Sequence, residues 1–474
     1  MANPDQKRRI GVISTALGRW LEGGEPWYAA IGLANLVMGT SSILIPLMIS
    51  QVLHRTVADL GVLSSLVSVV GVIGSLLWGG LSDAAHRRKP FVILSFAAVC
   101  LGFVAIGLGP SFWAVVLANM ALNFFWVSNA AVTVLIVTEN SDKAAWETKI
   151  GRLNQFGAIG WVLGLVLGSV GLATARQWLP DERAIRVLFL ALAGGAAAAT
   201  YLAARLVPRT TRRFTPLRFR GVVTALGSFL VEVARFSPYH LYHRLNLKNL
   251  VSLLRERDGP GRETKRFLAA TFVAFAAIGF FAIPLPLLFS EQFRFASPTV
   301  FLYFVFLNVG VVLAYPWASH RIDRFGNKAV QMAALFARFV LFAVAAVYLA
   351  LARAAPGTFF LVLYLVLVGF SWSFFQLSGV ALTSRLARPE LRGQTLGLYN
   401  AVAGLGLIVA GVGSGYLAHR VGYQATFAVA AVLMGVALLM LRPLRVPKVS
   451  AESDTASEGG GANESGSPSA GSGP

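Results

Sequence analysis

The chain contains twelve apolar stretches that are each long enough to cross a lipid bilayer. Six of them lie between residues 27 and 206, and the other six lie between residues 267 and 441. The hydrocarbon core of a bilayer is about 30 Å thick, so a helix of about 20 apolar residues spans it. These stretches are apolar nearly all round, whereas helices of a soluble fold carry one polar face. The pattern predicts an all-α polytopic membrane protein with 12 transmembrane helices in two six-helix bundles.

The composition agrees with this fold class and argues against several kinds of chemistry. Hydrophobic residues make up 56% of the chain and charged residues only 13%, whereas a soluble domain carries about 25% charged residues. The single cysteine, Cys100, and the six histidines form no metal-ligand cluster, so we expect neither a metal nor a cofactor. The chain has no Gly-x4-Gly-Lys-Ser/Thr pattern, which argues against an ATP-driven pump. We therefore expect that the protein is not an enzyme.

The distribution of charge predicts how the chain lies in the membrane. The net charge is +20, and basic residues gather in alternate loops, at 7–9, 87–89, 143–152, 209–220, 321–328, 385–392 and 442–448. The intervening loops carry few basic residues. This alternation follows the positive-inside rule. We therefore expect a multi-pass protein of the plasma (cytoplasmic) membrane with both termini in the cytoplasm. The charge thus encodes orientation, and we expect no nucleic-acid partner.

The apolar stretches and the basic segments divide the chain into five parts. We expect a cytoplasmic N-terminal segment (1–26), a first six-helix bundle (27–206), a basic cytoplasmic linker (207–266), a second six-helix bundle (267–441) and a disordered cytoplasmic tail (442–474). The linker mixes apolar residues with many arginines. Two interpretations stay open: amphipathic helices that lie on the anionic inner leaflet, or a plain tether whose charges secure the topology.

The two halves carry matching residues at matching distances. Asn154 lies 28 positions after Trp126, and Asn400 lies 28 positions after Trp372. The same orientation of both halves indicates a parallel duplication. Such repeats are common in secondary transporters, whose substrate site lies between the repeats near the middle of the bilayer.

The loop between the second and third apolar stretches carries a recognisable motif. Gly79, Asp83, Arg87 and Arg88 match the pattern G-x-x-x-D-x-x-G-R-[RK], with His86 in place of the second glycine. At these residues the chain resembles the major facilitator superfamily (MFS), and the resemblance extends over the membrane domain. It implies the MFS fold, in which two six-helix bundles rock about a shared cavity.

The resemblance also implies a gate at the inner ends of the helices, where charged side chains pair in one state and separate in another. The predicted gate and motif residues are Gly79, Asp83, Arg87, Arg88, Glu139, Asp323, Arg324, Lys328 and Arg385. Glu139 and Arg385 both lie 13 positions after the repeat tryptophans and carry opposite charges, so we expect them to pair. The alternative for Arg87 and Arg88 is a purely topological role.

Polar side chains within the apolar stretches are candidates for the cavity wall, because they are costly in hydrocarbon unless they face protein or water. The predicted substrate-cavity residues are Asn35, Asn119, Asn123, Trp126, Trp372 and Gln376. Their amides and indoles suit neutral polar or amphipathic ligands. The alternative for Asn119 and Asn123 is that they bond neighbouring helices.

One basic residue, Arg338, lies about ten residues into the ninth stretch, near the middle of the membrane. We expect it to snorkel to an interface or to pair with an acid rather than to bind substrate.

In contrast, no acid lies at the centre of any stretch. Either protons are the coupling ion and titrate groups at helix ends, such as Asp83, Glu139 or Glu291, or the protein is a uniporter.

These observations predict a secondary active or facilitative transporter that moves a small organic solute by alternating access, with export favoured over uptake. Uptake of a sugar or metabolite is the alternative within transport. A membrane receptor or scaffold without transport activity is the alternative from another functional class.

Overall fold

The computed structural model describes residues 25–84, 88–141, 146–208, 261–352, 354–387 and 392–446. Within these ranges, twelve helices are long and apolar enough to cross a membrane, which confirms the predicted fold class. In the first half they are α1 (Tyr28–Leu47), α2 (Val57–Ala84), α3 (Lys89–Leu108), α4 (Phe112–Glu139), α5 (Trp146–Ala175) and α6 (Asp181–Leu206). In the second half they are α7 (Arg262–Ala282), α8 (Ser297–Phe325), α9 (Asn327–Leu351), α10 (Thr358–Leu386), α11 (Arg392–Arg420) and α12 (Tyr423–Leu441).

Both halves follow one packing plan. In the first half α1 packs on α5 and α6, α3 packs on α4 and α6, and α2 packs on α4. The equivalent pairs of the second half pack in the same way: α7 on α11 and α12, α9 on α10 and α12, and α8 on α10. The duplication inferred from the sequence is therefore also present in the helix packing.

The ends of α1 and α7 share an unusual shape. α1 continues into a π-helical turn, Met48–Val52, and α7 continues through a short turn, Leu285–Leu287, into a second π-helical turn, Leu288–Gln292. Pro46 precedes the first π-helical turn, and Pro286, 240 positions later, precedes the second. A proline donates no backbone N–H, so each helix loses one of its own hydrogen bonds at this point. This break occurs at matching places in the two halves.

Glycine allows the closest helix contacts within each half. A Cβ atom on Gly160 of α5 would lie 2.0 Å from the carbonyl oxygen of Gly32 in α1, and one on Gly369 of α10 would lie 1.8 Å from that of Leu307 in α8. Small residues are the usual means of close helix packing in lipid, where there is no hydrophobic drive between helices. The backbones of these pairs are thus in direct contact.

The structure differs from the predicted boundaries on both sides of the second half. α7 begins at Arg262, five residues before the predicted start of the bundle. The predicted disordered tail is wrong for residues 442–446, which pack against the bundle: Leu444 is buried, and the Arg445 backbone N–H donates to Glu263 (2.9 Å). The remaining predicted segments, 1–24, 209–260 and 447–474, lie outside the described residues.

We expect Gly160→Ala to destabilise the protein, because its methyl group would overlap the α1 backbone. Overpacking of this kind typically costs about 1–3 kcal/mol. Gly194→Ala is the matched control, since a Cβ there meets nothing within 4 Å and alanine is the better helix former. Thermal unfolding of the detergent-purified variants measures both effects. Equal unfolding temperatures for the two variants would contradict the close packing of α1 on α5.

Candidate functional site

The first contact between the halves joins α2 to α11. The Ser65 hydroxyl donates to the carbonyl oxygen of Ile408 (2.6 Å) and accepts from the backbone N–H of Val412 (2.8 Å). A Cβ on Gly61 would lie 2.2 Å from the carbonyl oxygen of Gly411, so the two helix backbones touch here as well. Among the described residues, this contact is made by a serine and by glycines of both helices.

A second set of contacts joins α5 and the end of α1 to the start of α8. Ser169 donates to the carbonyl oxygen of Pro298 (2.8 Å), and Ser297 donates to the side-chain oxygen of Gln51 (2.8 Å). These contacts and the α2–α11 contact lie toward the same end of the bundle, where α1 joins α2 and α7 joins α8. We call this end the sealed end.

A cavity of about 390 Å³ lies between the halves next to the sealed end. Its walls come from α1, α2, α5, α7 and α8. They are formed by Ser42, Ile43, Pro46, Leu60, Ser64, Trp161, Leu165, Ala282, Ile283, Pro286, Phe304 and Asn308. The cavity is therefore built from both halves.

The cavity wall has approximate twofold symmetry. Four wall positions of the first half recur 240 positions later in the wall: Ser42 with Ala282, Ile43 with Ile283, Pro46 with Pro286, and Ser64 with Phe304. Identical residues, isoleucine and proline, occupy two of these pairs. The prolines that precede the π-helical turns of α1 and α7 are thus both part of the cavity wall.

The chemistry of the wall is apolar with a few polar groups. Ser42, Ser64, Trp161 and Asn308 provide hydroxyl, indole and amide groups, and none of the twelve described wall residues is charged. An apolar cavity with a small number of polar groups is typical of sites for small organic ligands. None of these four polar residues is among the substrate-cavity residues predicted from the sequence.

The repeat asparagines lie farther from the sealed end. Asn154 precedes Trp161 by seven residues, or about two helical turns, so it lies on the face of α5 that forms the cavity wall. Asn154 and its counterpart Asn400 are both exposed, although each lies in a membrane-spanning helix. Asn154 is thus a polar, exposed residue on the helix face that carries Trp161.

The predicted cavity residues of the first half lie outside this wall. The Asn123 amide donates to Asn119 Oδ1 (2.8 Å), and Asn119 is buried. The Trp126 ring stacks on Phe96 of α3, with 6.2 Å between ring centroids. Asn35 lies between α1 and α5, where a Cβ on Gly157 would come within 3.3 Å of its amide nitrogen. In this conformation Asn123 bonds to Asn119 within α4, whereas Trp126 and Asn35 contact neighbouring helices. The contact of these side chains with a ligand stays a prediction.

The predicted residues of the second half, Trp372 and Gln376, lie one turn apart on α10. Trp372 makes an edge-on contact with Phe275 of α7 (6.3 Å between centroids). The Gln376 side-chain oxygen is buried and has no hydrogen-bond partner in the described part of the chain. A buried amide oxygen without a partner is costly, so this position could accept a donor from a ligand or from water.

The expectation that Arg338 snorkels to an interface is wrong. Its side chain is 3% exposed and lies inside the second half. The guanidinium lies over the rings of Phe342 (5.3 Å), Trp372 (5.4 Å) and Phe375 (5.9 Å). It donates to the hydroxyl of Ser371 (3.3 Å). Because α10 supplies aromatic faces on the inner side of α9, the charge is held there by cation–π contacts. No carboxylate in the described part of the chain lies within ion-pair distance of Arg338.

The predicted pairing of Glu139 with Arg385 is absent from this conformation. Glu139 instead accepts from Arg88 of its own half at 3.2 Å, and both side chains are largely buried. Arg385 is exposed. Glu139 ends α4, and Arg88 immediately precedes α3, which packs on α4, so the nearer arginine takes the carboxylate.

The remaining gate residues are only partly described. Lys328 donates to the carbonyl oxygen of Arg442 (2.9 Å), whereas Asp323 and Arg324 are exposed. Gly79 and Asp83 belong to α2, but the surroundings of Gly79, the side chain of Asp83 and all of Arg87 lie outside what the structure describes. The gating role of this set stays a prediction.

A further ion pair joins the start of α1 to α5. Lys149 donates to Glu25 at 2.7 Å. Burial alone would raise the pKa of Glu25, but the hydrogen bonds from Lys149 and Trp27 and the charge of Lys149 outweigh it and lower the pKa below its usual value. The pair lies away from the sealed end and holds two helices of the first half together.

Comparison with known proteins gives the same fold. The chain matches solved structures of the nucleoside transporter NupG (17% identical, TM-score 0.65, 88% of this chain and 96% of that chain) and of a POT family transporter in complex with a thioalcohol-conjugated peptide (12% identical, TM-score 0.69, 88% and 94%). At these identities the likeness shows the fold alone.

Two curated proteins are similar over part of their length. A probable 4-methylmuconolactone transporter of Cupriavidus pinatubonensis is 29% identical over 178 residues, which are 36% of this chain and 40% of the relative. A probable galactarate/D-glucarate transporter of Pseudomonas putida is 25% identical over 168 residues, 31% of this chain and 36% of the relative. The chain thus aligns with about two fifths of each relative, and both relatives are transporters rather than enzymes.

The family model described as Major Facilitator Superfamily matches residues 28–257 and 267–468, which include both six-helix halves. This confirms the resemblance that the loop motif and the repeat indicated. The chain belongs to the Major Facilitator Superfamily.

Proposed function

We propose that this protein is a secondary transporter that moves a small organic solute by alternating access. The observation that carries the proposal is a cavity between two pseudo-symmetric halves, built from both of them and sealed at one end. A transport site must be reachable from each side in turn, and a site on the interface between two rigid halves meets this requirement.

The wall chemistry supports a solute with an apolar body and a few hydrogen-bonding groups. Ser42, Ser64 and Asn308 offer hydrogen bonds, and Trp161 offers a ring face for stacking. The buried oxygen of Gln376 supports a further polar contact from the second half.

The charge distribution supports a location in the plasma membrane with cytoplasmic termini. In that orientation the sealed end faces outward, the cavity opens toward the cytoplasm, and the basic linker lies beside the anionic inner leaflet. A site loaded from the cytoplasm suits export, which the loop motif also favours.

Glu291 is the acid that we propose for proton coupling. It lies in the π-helical turn of α7 and accepts from the hydroxyl of Tyr423 of α12 at 2.8 Å, with His419 as a nearby charge. Glu291 occupies the position equivalent to Gln51, which bonds to Ser297 across the sealed end. Protonation of the Glu291 carboxylate would change its hydrogen bond with Tyr423, which holds the end of α7 on α12.

The second candidate function is uptake of a metabolite, and a specific observation favours organic acids as the solutes. The similar proteins are named for galactarate/D-glucarate and for 4-methylmuconolactone. These compounds are the first to be tested as solutes.

A cross-link at the sealed end should stop transport, because the halves could no longer part there. The variant carries Gln51→Cys and Ser297→Cys in a Cys100→Ser background, joined by a short bifunctional thiol reagent that is cleaved by reductant. Transport into proteoliposomes should fall to background and return after reduction. Glu25→Cys with Lys149→Cys, a pair at 2.7 Å within one half, is the matched control and should stay active. Full activity of the cross-linked sealed end would overturn alternating access.

Trp161→Ala should weaken solute binding about tenfold, the loss expected when an aromatic face worth about 1.4 kcal/mol is removed. A ligand that binds only the folded protein raises the unfolding temperature, so a thermal-shift series with galactarate, D-glucarate and 4-methylmuconolactone measures the effect. The control is Trp178→Ala, whose side chain is 85% exposed outside the cavity. Unchanged solute affinity in the Trp161 variant would show that the solute does not bind in this cavity.

Membrane vesicles of defined sidedness should reveal direction and coupling together. If the protein exports its solute in exchange for protons, inside-out vesicles with an acidic lumen will accumulate it. Glu291→Gln should retain solute exchange but lose the response to the proton gradient, whereas Glu182→Gln, an exposed acid, should behave as the parent protein. Concentrative uptake by right-side-out vesicles in acidic medium would establish the second candidate function instead.

A further inference from the structure

A long groove runs along the outer face of the second half, between α8, α9 and α10. It consists of two adjoining cavities of about 550 and 470 Å³. Both are lined by Ala333, Phe370 and Phe374, so they form one continuous space. The groove is separate from the cavity between the halves, with which it shares no wall residue.

The sequence of α9 explains why a groove exists here. Ala329, Ala333 and Ala337 recur every four residues and therefore lie in one stripe on the helix. All three are exposed. The sides of the groove are formed by Phe336 on the same helix and by Phe370 and Phe374 on α10. Methyl groups between phenyl rings leave a channel with an apolar floor.

One end of the groove carries a positive charge. Arg321, near the end of α8, lines the groove together with Trp317 and Phe325. Its guanidinium lies 5.7 Å from the Phe325 ring and is exposed. No carboxylate of the described residues lies within ion-pair distance of Arg321, so this charge is available to an outside anion.

The dimensions of the groove match one leaflet of a membrane. It extends along α9 from Ala329 to Leu341, which is about 18 Å at about 1.5 Å per residue. Half of a hydrocarbon core about 30 Å thick is about 15 Å. The groove therefore offers the length of one acyl chain, with a cation where the headgroup would lie.

We propose that this groove binds an anionic phospholipid, whose phosphate pairs with Arg321 and whose acyl chain lies along the alanine stripe of α9. A guanidinium forms strong, charge-assisted hydrogen bonds with phosphate oxygens. The apolar rings of Trp317 (61% exposed), Phe325 (53%) and Phe336 (56%) suit a hydrocarbon chain and would not suit water. A second copy of the protein and an uncharged lipid are the other possible occupants, and the test separates them.

The test is native mass spectrometry of the full-length protein in detergent. The protein is titrated with 1-palmitoyl-2-oleoyl-phosphatidylglycerol or with the phosphatidylcholine that carries the same two chains. We expect retention of phosphatidylglycerol at lower lipid concentration than phosphatidylcholine. Arg321→Gln should weaken the binding of phosphatidylglycerol about fivefold, as expected for the loss of one basic residue near a lipid phosphate.

Two further variants make the result specific. Arg420→Gln removes another exposed arginine that lies over an aromatic ring, Tyr416 (5.0 Å), away from the groove, and should bind lipid as the parent protein does. Ala333→Phe fills the exposed groove floor and should lower the binding of both lipids. Equal retention of the two lipids, equal effects of the two arginine variants, or a dimer that Ala333→Phe disrupts would each overturn the proposal.

Discussion

The bilayer core offers no water to backbone N–H and C=O groups, so each spanning segment must satisfy its own hydrogen bonds. This constraint makes the protein helical throughout its membrane domain. It also restricts where a helix can be broken: irregular backbone is tolerated in a membrane only where protein covers it or where it lines a cavity. The breaks after Pro46 and Pro286 obey this restriction, because both prolines lie in the wall of the cavity between the halves.

The same two breaks connect the fold to the proposed function. Because the halves are duplicates, the breaks in α1 and α7 occur at equivalent places, and both line the cavity. The π-helical turns that follow end near the contacts of the sealed end, where Gln51 accepts from Ser297. The segments that shape the cavity are therefore continuous with the segments that close it, so that a movement of one half changes the cavity and its closure together.

The membrane fold could be predicted from the sequence because hydropathy and duplication leave strong, local signals. The site could be predicted only in part. The sequence repeats an isoleucine and a proline of α1, at 43 and 46, 240 positions later at the end of α7, at 283 and 286. An alignment of the two halves on this repeat would have identified part of the cavity wall. Trp161 carried no such signal, because its face of α5 is defined only by packing on α1. Glu139 has arginines of both halves as possible partners, and the choice of Arg88 depends on how α3 packs on α4. Arg338 is retained inside the bundle by rings from α10, which a single-helix pattern does not reveal.

The chemistry of the sealed end suits a contact that must open and close. If the halves were joined there by buried charges, each opening would leave a charge without a partner, at a cost of about 3–5 kcal/mol for each broken pair. The structure instead uses the hydroxyls of Ser65, Ser169 and Ser297. Ser65 and Ser169 lie within helices, where a serine hydroxyl can return its hydrogen bond to a carbonyl of its own preceding turn when the contact opens. Ser297 begins α8, where its hydroxyl can bond to water instead. Hydrogen bonds between membrane helices contribute only about 0.6 kcal/mol each on average. These serine contacts between the halves are therefore weak enough to suit the opening and closing that the proposed alternating access requires.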